Sequence, residues 1–393
     1  MSQETWDLVV VGAGPAGAAT ALGALTADPT LRVLLLDRAD FPRDKSCGDG
    51  IAPHVFDALR TVGVDDAADG WIPLRRLRLD RGASSVERDL ARPVWVIPRR
   101  VFDARLVEHA TAAGAVLVRH RVRAVTSGPD GHVVDEEHRG RVLVGADGAH
   151  SVVGTSAGRA PGRRALALRG YAPTPPDRRA RQVIVYGDRR QPSYAWSFDR
   201  GDGLANVGYG ELLGDATDPP SRQVLLEQLE ELLPGSVEHG TGWRGHHLPL
   251  SGFRWHQPDG PVLLVGDAAG LVNPMTGEGI YYAVATGISA GRAAARALRS
   301  RDAAAAGALH RTTVRRLLAR HLRSTSVAAR LSTSPTVVEA GIRAASRSQR
   351  VFDDLVEIGL GRGTITPRLG AGLGAGLVAG LPRPRPFARQ VSQ

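Results

Sequence analysis

Trp6–Leu25 reads WDLVVVGAGPAGAATALGAL, and the interpretation of the whole 393-residue chain turns on it. Leu8 to Val11 is an unbroken apolar, β-branched run, the composition of a strand buried on both faces in a parallel sheet. Gly12, Gly14 and Gly17 follow as G-x-G-x-x-G, with Pro15 and Ala16 opening an alanine-rich helix. Each glycine meets a separate demand: Gly12 the tight turn, Gly14 the approach of backbone to a pyrophosphate, Gly17 the close packing of helix on strand. The helix amino terminus then offers unpaired N–H groups and a positive dipole end to phosphates. A second apolar strand, Arg32 to Leu36, leads to Asp37, 20 residues beyond Gly17, followed by Arg38. A carboxylate at that place accepts from a ribose hydroxyl pair and disfavours a 2′-phosphate, which leaves FAD or NAD.

The choice falls to a distant stretch, GPVLLVGDAAGLVNPMTGEGIYYAVATGISAGRAAARAL, Gly260–Leu298. Its apolar strand, Pro261 to Val265, delivers Asp267 to a carboxyl end, where open α/β sheets bind ligands. A second acidic loop aimed at the cofactor suits FAD, whose ribityl chain needs a hydrogen-bond acceptor. The helix that begins near Gly277, Gly279 and Ile280 is expected to turn N–H groups toward the flavin N1/O2 edge. Between these motifs, RVLVGADGAHSVV (Arg141–Val153) is again a strand running into Asp147 and Gly148.

Bulk properties bound the rest. Apolar residues at 42% and charged residues at 23% describe a globular protein, and the length suggests more than one structural unit. One cysteine excludes an intramolecular disulfide and, with no basic segment leading into an apolar one at the amino terminus, points to the cytoplasm. No run approaches the roughly 18 apolar residues of a spanning helix. The net charge of +10 favours anionic partners such as diphosphates, nicotinamide dinucleotides or lipid headgroups, or reflects arginine-rich coding. The arginines are dispersed without a recognition motif, so nucleic acid is not an expected partner.

Three motifs in this order resemble those of the flavoprotein class that includes the aromatic hydroxylases and the geranylgeranyl reductases. DKSCGDG (Asp44–Gly50), which holds the only cysteine and the only lysine, is similar to the Lys-x-Cys-Gly-x-Gly loop of the geranylgeranyl reductase and menaquinone reductase branch. YAWSFDRGDGLANVGYGEL (Tyr194–Leu212) resembles that branch's Tyr-x-Trp-x-Phe-Pro signature with Asp199 in place of proline, and GHHLPLSG (Gly245–Gly252) supports it. The resemblance implies FAD contacts at Arg100 and, through backbone, at Val122. Gly48 and Gly50 permit positive φ angles and a close backbone approach to the flavin ring, with Cys47 there as a catalytic proton donor or a packing thiol. Tyr194 and Trp196 are then substrate contacts, or the aromatic face of an ordinary strand. No metal site is expected.

The implied architecture is α/β (α+β overall), a Rossmann-like FAD-binding domain interleaved with an antiparallel β-sheet substrate domain and followed by a C-terminal helical segment. The FAD domain takes residues 1–70, 98–160 and 256–300, the substrate domain 71–97 and 161–255, and the helical region with its tail 301–393. In that tail Gly374, Gly376 and Ala379 imitate a dinucleotide fingerprint but lack a preceding strand, while the small apolar stretch with Arg383, Arg385 and Arg389 reads as a loosely packed end, the alternatives being peripheral contact with a membrane or cover for a lipid-filled tunnel. The implied activity is reduction of isolated C=C bonds in a prenyl chain with non-covalent FAD, electrons arriving from NAD(P)H or a ferredoxin. The alternatives are a monooxygenase acting on a small aromatic or polyketide, a tryptophan halogenase, disfavoured because its Trp-x-Trp-x-Ile-Pro motif is missing, and a non-catalytic prenyl carrier.

Overall fold

Strands rich in Val and Leu, the central ones buried on both faces, assemble the first sheet of the computed structural model, which describes residues 5–128, 131–214, 219–253, 255 and 257–379. Arg383, Arg385 and Arg389, with the membrane contact weighed for them, lie outside the described residues. In chain order the strands of this sheet are β1 (Thr5–Val11), β2 (Val33–Asp37), β6 (Val116–Arg119), β7 (Val125–Gly128), β8 (Gly131–Val134), β9 (His138–Gly145) and β15 (Val262–Leu264). β6, β2, β1, β9 and β15 run parallel. β9 pairs with β8 through His138, Arg139 and Gly140 and with β15 through its last three residues. Because β1, β2, β9 and β15 point the same way, the residues that follow them meet along one edge of the sheet.

The second sheet contains β3 (Gly50–Ile51), β4 (Leu74–Arg81), β5 (Ser84–Val96), β10 (Arg164–Pro173), β11 (Gln182–Tyr186), β12 (Ser193–Asp199), β13 (Leu204–Leu212) and β14 (Thr241–Pro249). Their order is β14-β10-β13-β12-β11-β4-β5-β3. An antiparallel sheet is expected here, and one seam corrects that: β11 runs parallel to β4. The two belong to separate chain segments joined by a long passage through the first sheet, so no hairpin dictates their direction.

The helices are α1 (Pro15–Ala27), α2 (Pro53–Arg60), α3 (Arg99–Ala112), α4 (Val152–Ser156), α5 (Arg222–Leu232), α6 (Ile280–Arg299), α7 (Ala305–Leu331), α8 (Pro335–Arg347), α9 (Gln349–Leu360) and α10 (Pro367–Ala379). α1 and α6 touch backbone to backbone, since a Cβ on Gly291 would stand 2.0 Å from the Thr20 carbonyl oxygen. The small residues of both helices therefore serve packing. α5 covers one face of β12 and β13 through Leu225 and Leu229 against Ala195, Val207 and Tyr209. The C-terminal helices lean on the second sheet rather than standing apart, with Ile342, Ala345 and Phe352 in one cluster with Leu74, Val86 and Val94.

Candidate active site

A cavity of about 1130 Å³ lies between the two sheets, larger than the range of about 300–1,000 Å³ usual for a small-ligand site. Its polar end is built largely of backbone. Gly12 has φ +97°, and a Cβ there would stand 2.4 Å from the Ala146 carbonyl oxygen, so only glycine closes this turn. Gly17 lies behind the wall, where a Cβ would overlap the Gly12 carbonyl oxygen at 1.7 Å; it serves the close packing of α1 on β1. Gly14, Pro15 and Ala16 line the cavity, and no side chain caps the α1 amino terminus. A Cβ on Gly14 would lie 3.3 Å from Arg43 Nη2 and 3.9 Å from Arg99 Nη2, so two guanidinium groups flank that terminus. Buried Asp103 holds both: it accepts from Arg99 Nε and Nη2 at 2.6 and 2.8 Å and lies 3.2 Å from Arg43 Nη1.

Asp37 ends β2 on the same edge. Its Oδ2 accepts from the Ala13 N–H at 2.9 Å and its Oδ1 from the Ala39 N–H at 3.0 Å, which aims the carboxylate while each oxygen keeps a further lone pair. Uncapped N–H groups, paired cations and an oriented carboxylate along one edge are the donor and acceptor set that the diphosphate and ribose of FAD require. The residues fit the cofactor. Arg38, Val122, Asp147 and Gly148 line the cavity as well. The Asp147 carboxyl accepts from the Val152 N–H at 2.7 Å and from the Ser151 hydroxyl, so it orders the loop before α4; burial pushes its pKa up.

Two expectations need correction. Arg100 is exposed and does not line the cavity, whereas Arg99 does. One step along the first turn of α3 rotates a side chain by roughly 100°, and the buried Asp103 selects Arg99 as its i, i+4 partner. Nor do Gly48 and Gly50 adopt positive φ; the left-handed residue between them is Asp49, at φ +58°.

Asp49 is fully buried and is a residue that sequence reasoning missed. Its Oδ2 accepts from the Tyr171 hydroxyl at 2.6 Å and from Asn206 Nδ2 at 2.8 Å, while Oδ1 has no hydrogen-bond partner among the described residues. Burial raises its pKa to about 6, against the pull of Tyr171, Asn206, Arg169 and Arg99. Asn206 gathers the loop, since Nδ2 also donates to the Cys47 carbonyl at 2.9 Å and Oδ1 accepts from Trp196 Nε1 at 2.8 Å. Cys47 lines the cavity, and burial pushes its thiol up although the Arg99 charge acts the other way.

Lys45 Nζ lies 3.6 Å from Asp267 Oδ2, which ties the cysteine loop to the end of β15. Gly277, with φ +70°, Gly279 and Ile280 line the cavity beside the α6 amino terminus. Between them Glu278, also missed, is half-buried; its Oε1 accepts from the Tyr281 N–H at 2.9 Å, and desolvation lifts its pKa to about 7. A carboxyl between glycines was the available signal in both missed cases, at CGDG and TGEG.

Tyr194, Trp196 and Phe198 alternate along β12 with buried Ala195 and Ser197, and all three aromatic residues line the cavity. Tyr194 donates its hydroxyl to the Thr276 carbonyl, which fixes the ring. Asp199 is turned away: it accepts from Thr174 Oγ1 and the N–H groups of Ala180 and Gly201, so the proline replacement reshapes a turn outside the cavity wall. Beyond the aromatic residues the cavity continues into an apolar limb walled by Leu77, Ile184, Ile342, Leu355, Ile358 and Leu369.

Comparison with known proteins agrees with this geometry. The FAD binding domain family matches residues 5–190. The chain is 34% identical to digeranylgeranylglycerophospholipid reductase 1 of Methanopyrus kandleri over 76% of this chain and 83% of the relative. It is 34% identical to menaquinone reductase of Mycobacterium tuberculosis over 76% of this chain and 78% of that one. A geranylgeranyl bacteriochlorophyll reductase-like protein from Thermoplasma acidophilum shares the fold, with a TM-score of 0.77 at 20% identity and 96% of both chains covered. The chain belongs to the geranylgeranyl reductase and menaquinone reductase family of FAD-dependent oxidoreductases.

Proposed function

We propose that the enzyme saturates isolated C=C bonds in the prenyl chain of a lipid, a diphosphate or a quinone. The observation that carries this reading is the continuity of the cavity: the cofactor cradle, the aromatic strand β12 and the apolar limb under α8–α10 share one space. The names of the two curated relatives support a prenyl substrate. Bound FAD supplies a hydride once reduced, and NAD(P)H or a ferredoxin is the proposed source of its electrons.

The chain's own residues supply the remainder. The limb strips water from the alkene, which matters because an isolated double bond reduced by separate proton and hydride deliveries passes through carbocation character that water would trap. The π faces of Tyr194 and Trp196 stabilise positive charge beside them. Both side chains are fixed by hydrogen bonds to Thr276 and Asn206, so the faces are in place before substrate enters.

The test is anaerobic incubation of the reduced enzyme with geranylgeranyl diphosphate, a prenylated glycerophospholipid and a menaquinone, followed by mass spectrometry. Products heavier by multiples of two hydrogens support the reading. An aromatic compound gaining one oxygen atom with matched oxygen uptake, while the prenyl panel stays inert, replaces it with a monooxygenase.

A further inference from the structure

We propose that His120, Glu137 and His138 form a binding site for one divalent cation of the zinc class. His120 directly follows β6, and Glu137 and His138 stand where the turn after β8 enters β9, so the site joins two connections of the first sheet. One ligand atom from each residue lies within 4.8 Å of the other two. His120 Nδ1 is 3.8 Å and His138 Nε2 4.0 Å from the same oxygen, Glu137 Oε2. Those separations are too long for hydrogen bonds and close to the roughly 3.4 Å between two ligands that each sit about 2.1 Å from a tetrahedral zinc ion. A contraction of about half an ångström completes the site. The Glu137 side chain, 64% exposed, has room to make it.

The partners of the two rings reinforce the assignment. His120 Nε2 lies 2.7 Å from Asp135 Oδ2, and Asp135 in turn accepts from the N–H groups of Arg123 and Ala124. An Nε2–H donated to that carboxylate leaves Nδ1 as a lone pair facing Glu137, the arrangement by which carboxylates orient metal-bound imidazoles. His138 Nε2 is shielded from solvent and has no hydrogen-bond partner among the described residues. A buried nitrogen left so calls for an explanation, and a coordinated ion supplies one. Two imidazoles with one carboxylate suit zinc, nickel or copper, whereas magnesium and calcium take oxygen ligands. Three protein ligands leave a fourth position to water.

The position gives the ion a task. The His120 N–H donates to the Asp37 carbonyl at 2.7 Å, and His120, Arg121 and Val122 line the cavity at its cofactor end. A cation that ties His120 to the start of β9 braces this loop from behind, against the β8–β9 hairpin. The wall beside Asp37 is then held in the form that takes FAD, and zinc and FAD should each strengthen the binding of the other.

The test titrates zinc chloride into tag-free holoenzyme that has been treated with EDTA and desalted, and follows the heat. One zinc ion per chain should bind with a Kd in the micromolar range or below, and X-ray absorption at the zinc edge should show imidazole ligands. Affinity should fall about tenfold or more in Glu137→Gln, an exposed position that leaves the fold intact, and further in His138→Ala. It should keep the wild-type value in His239→Ala, which removes an exposed histidine from another part of the chain. FAD release on dilution, read from flavin fluorescence, should be slower with zinc than with EDTA in wild type and the same in both for His138→Ala. No saturable binding at submillimolar zinc, or undiminished affinity in both Glu137→Gln and His138→Ala, overturns the site. Zinc bound as described with FAD release unchanged overturns the bracing of the cofactor wall.

Discussion

The two ends of the cavity are built on different principles. The cofactor end is made of backbone and short-range polar contacts: Gly12, the uncapped α1 terminus, and Asp37 fastened to Ala13. The substrate end is made of side chains brought together from β4, β11, β12 and the C-terminal helices, segments far apart in the sequence. Substitutions should therefore separate the ends: the first controls what cofactor is held, the second what chain is reduced.

The sharpest way to break that division is Gly14→Val. Apart from its chain neighbours and the ends of the Arg43 and Arg99 side chains, no atom of the described residues lies within 4 Å of the new Cβ, so the protein should fold with a melting temperature near wild type. The side chain would instead occupy the pyrophosphate position, and FAD should be lost entirely, as read from flavin absorbance after gel filtration. Full FAD occupancy would mean that the cradle is misassigned.

Glu278 tests the seam between the ends. Its pKa is raised from 4.5 to about 7, so between those values the folded state binds more protons than the unfolded state. Stability from this carboxyl is full below pH 4.5 and falls as pH rises to 7, by about 3 kcal/mol across the window. Glu278→Gln should remove that slope, measured as the difference between variant and wild type in urea midpoints from pH 4.5 to 7.5. Parallel curves would show that the carboxyl is solvated.

At the substrate end, Leu355→Trp should fill part of the limb. FAD content should be unchanged while kcat/KM for a long prenyl substrate falls about tenfold, the scale on which an apolar pocket discriminates by size. Equal losses for short and long chains would place the prenyl group elsewhere.

The same division explains what could be read without a structure. The cofactor end was legible because glycines and carboxylates at fixed offsets from apolar strands have few other uses, and Gly12, Gly14 and Asp37 all stand on the cavity wall. Arg100 was misplaced by one residue because helix phase is set by Asp103, on the buried face of α3, and a motif does not reveal which side of a turn faces inward. The limb was not legible. Ile342, Leu355 and Leu369 carry ordinary amphipathic periodicity, which states that a face is buried and not whether protein or ligand covers it.

The smallest effect is expected at Cys47, where the motif is most specific and the chemistry least dependent on it. Cys47 is on the wall, but burial holds its thiol protonated and weakly acidic. Cys47→Ser preserves size, leaves the Cys47 carbonyl to Asn206 Nδ2, and keeps a polar hydrogen, so the network around Asn206 should survive. Anaerobic turnover should drop less than about threefold, with no change in its pH profile, because an acid this weak contributes little to protonating an alkene. A hundredfold loss in Cys47→Ser with FAD retained would overturn that reading and place the sulfur at the proton transfer.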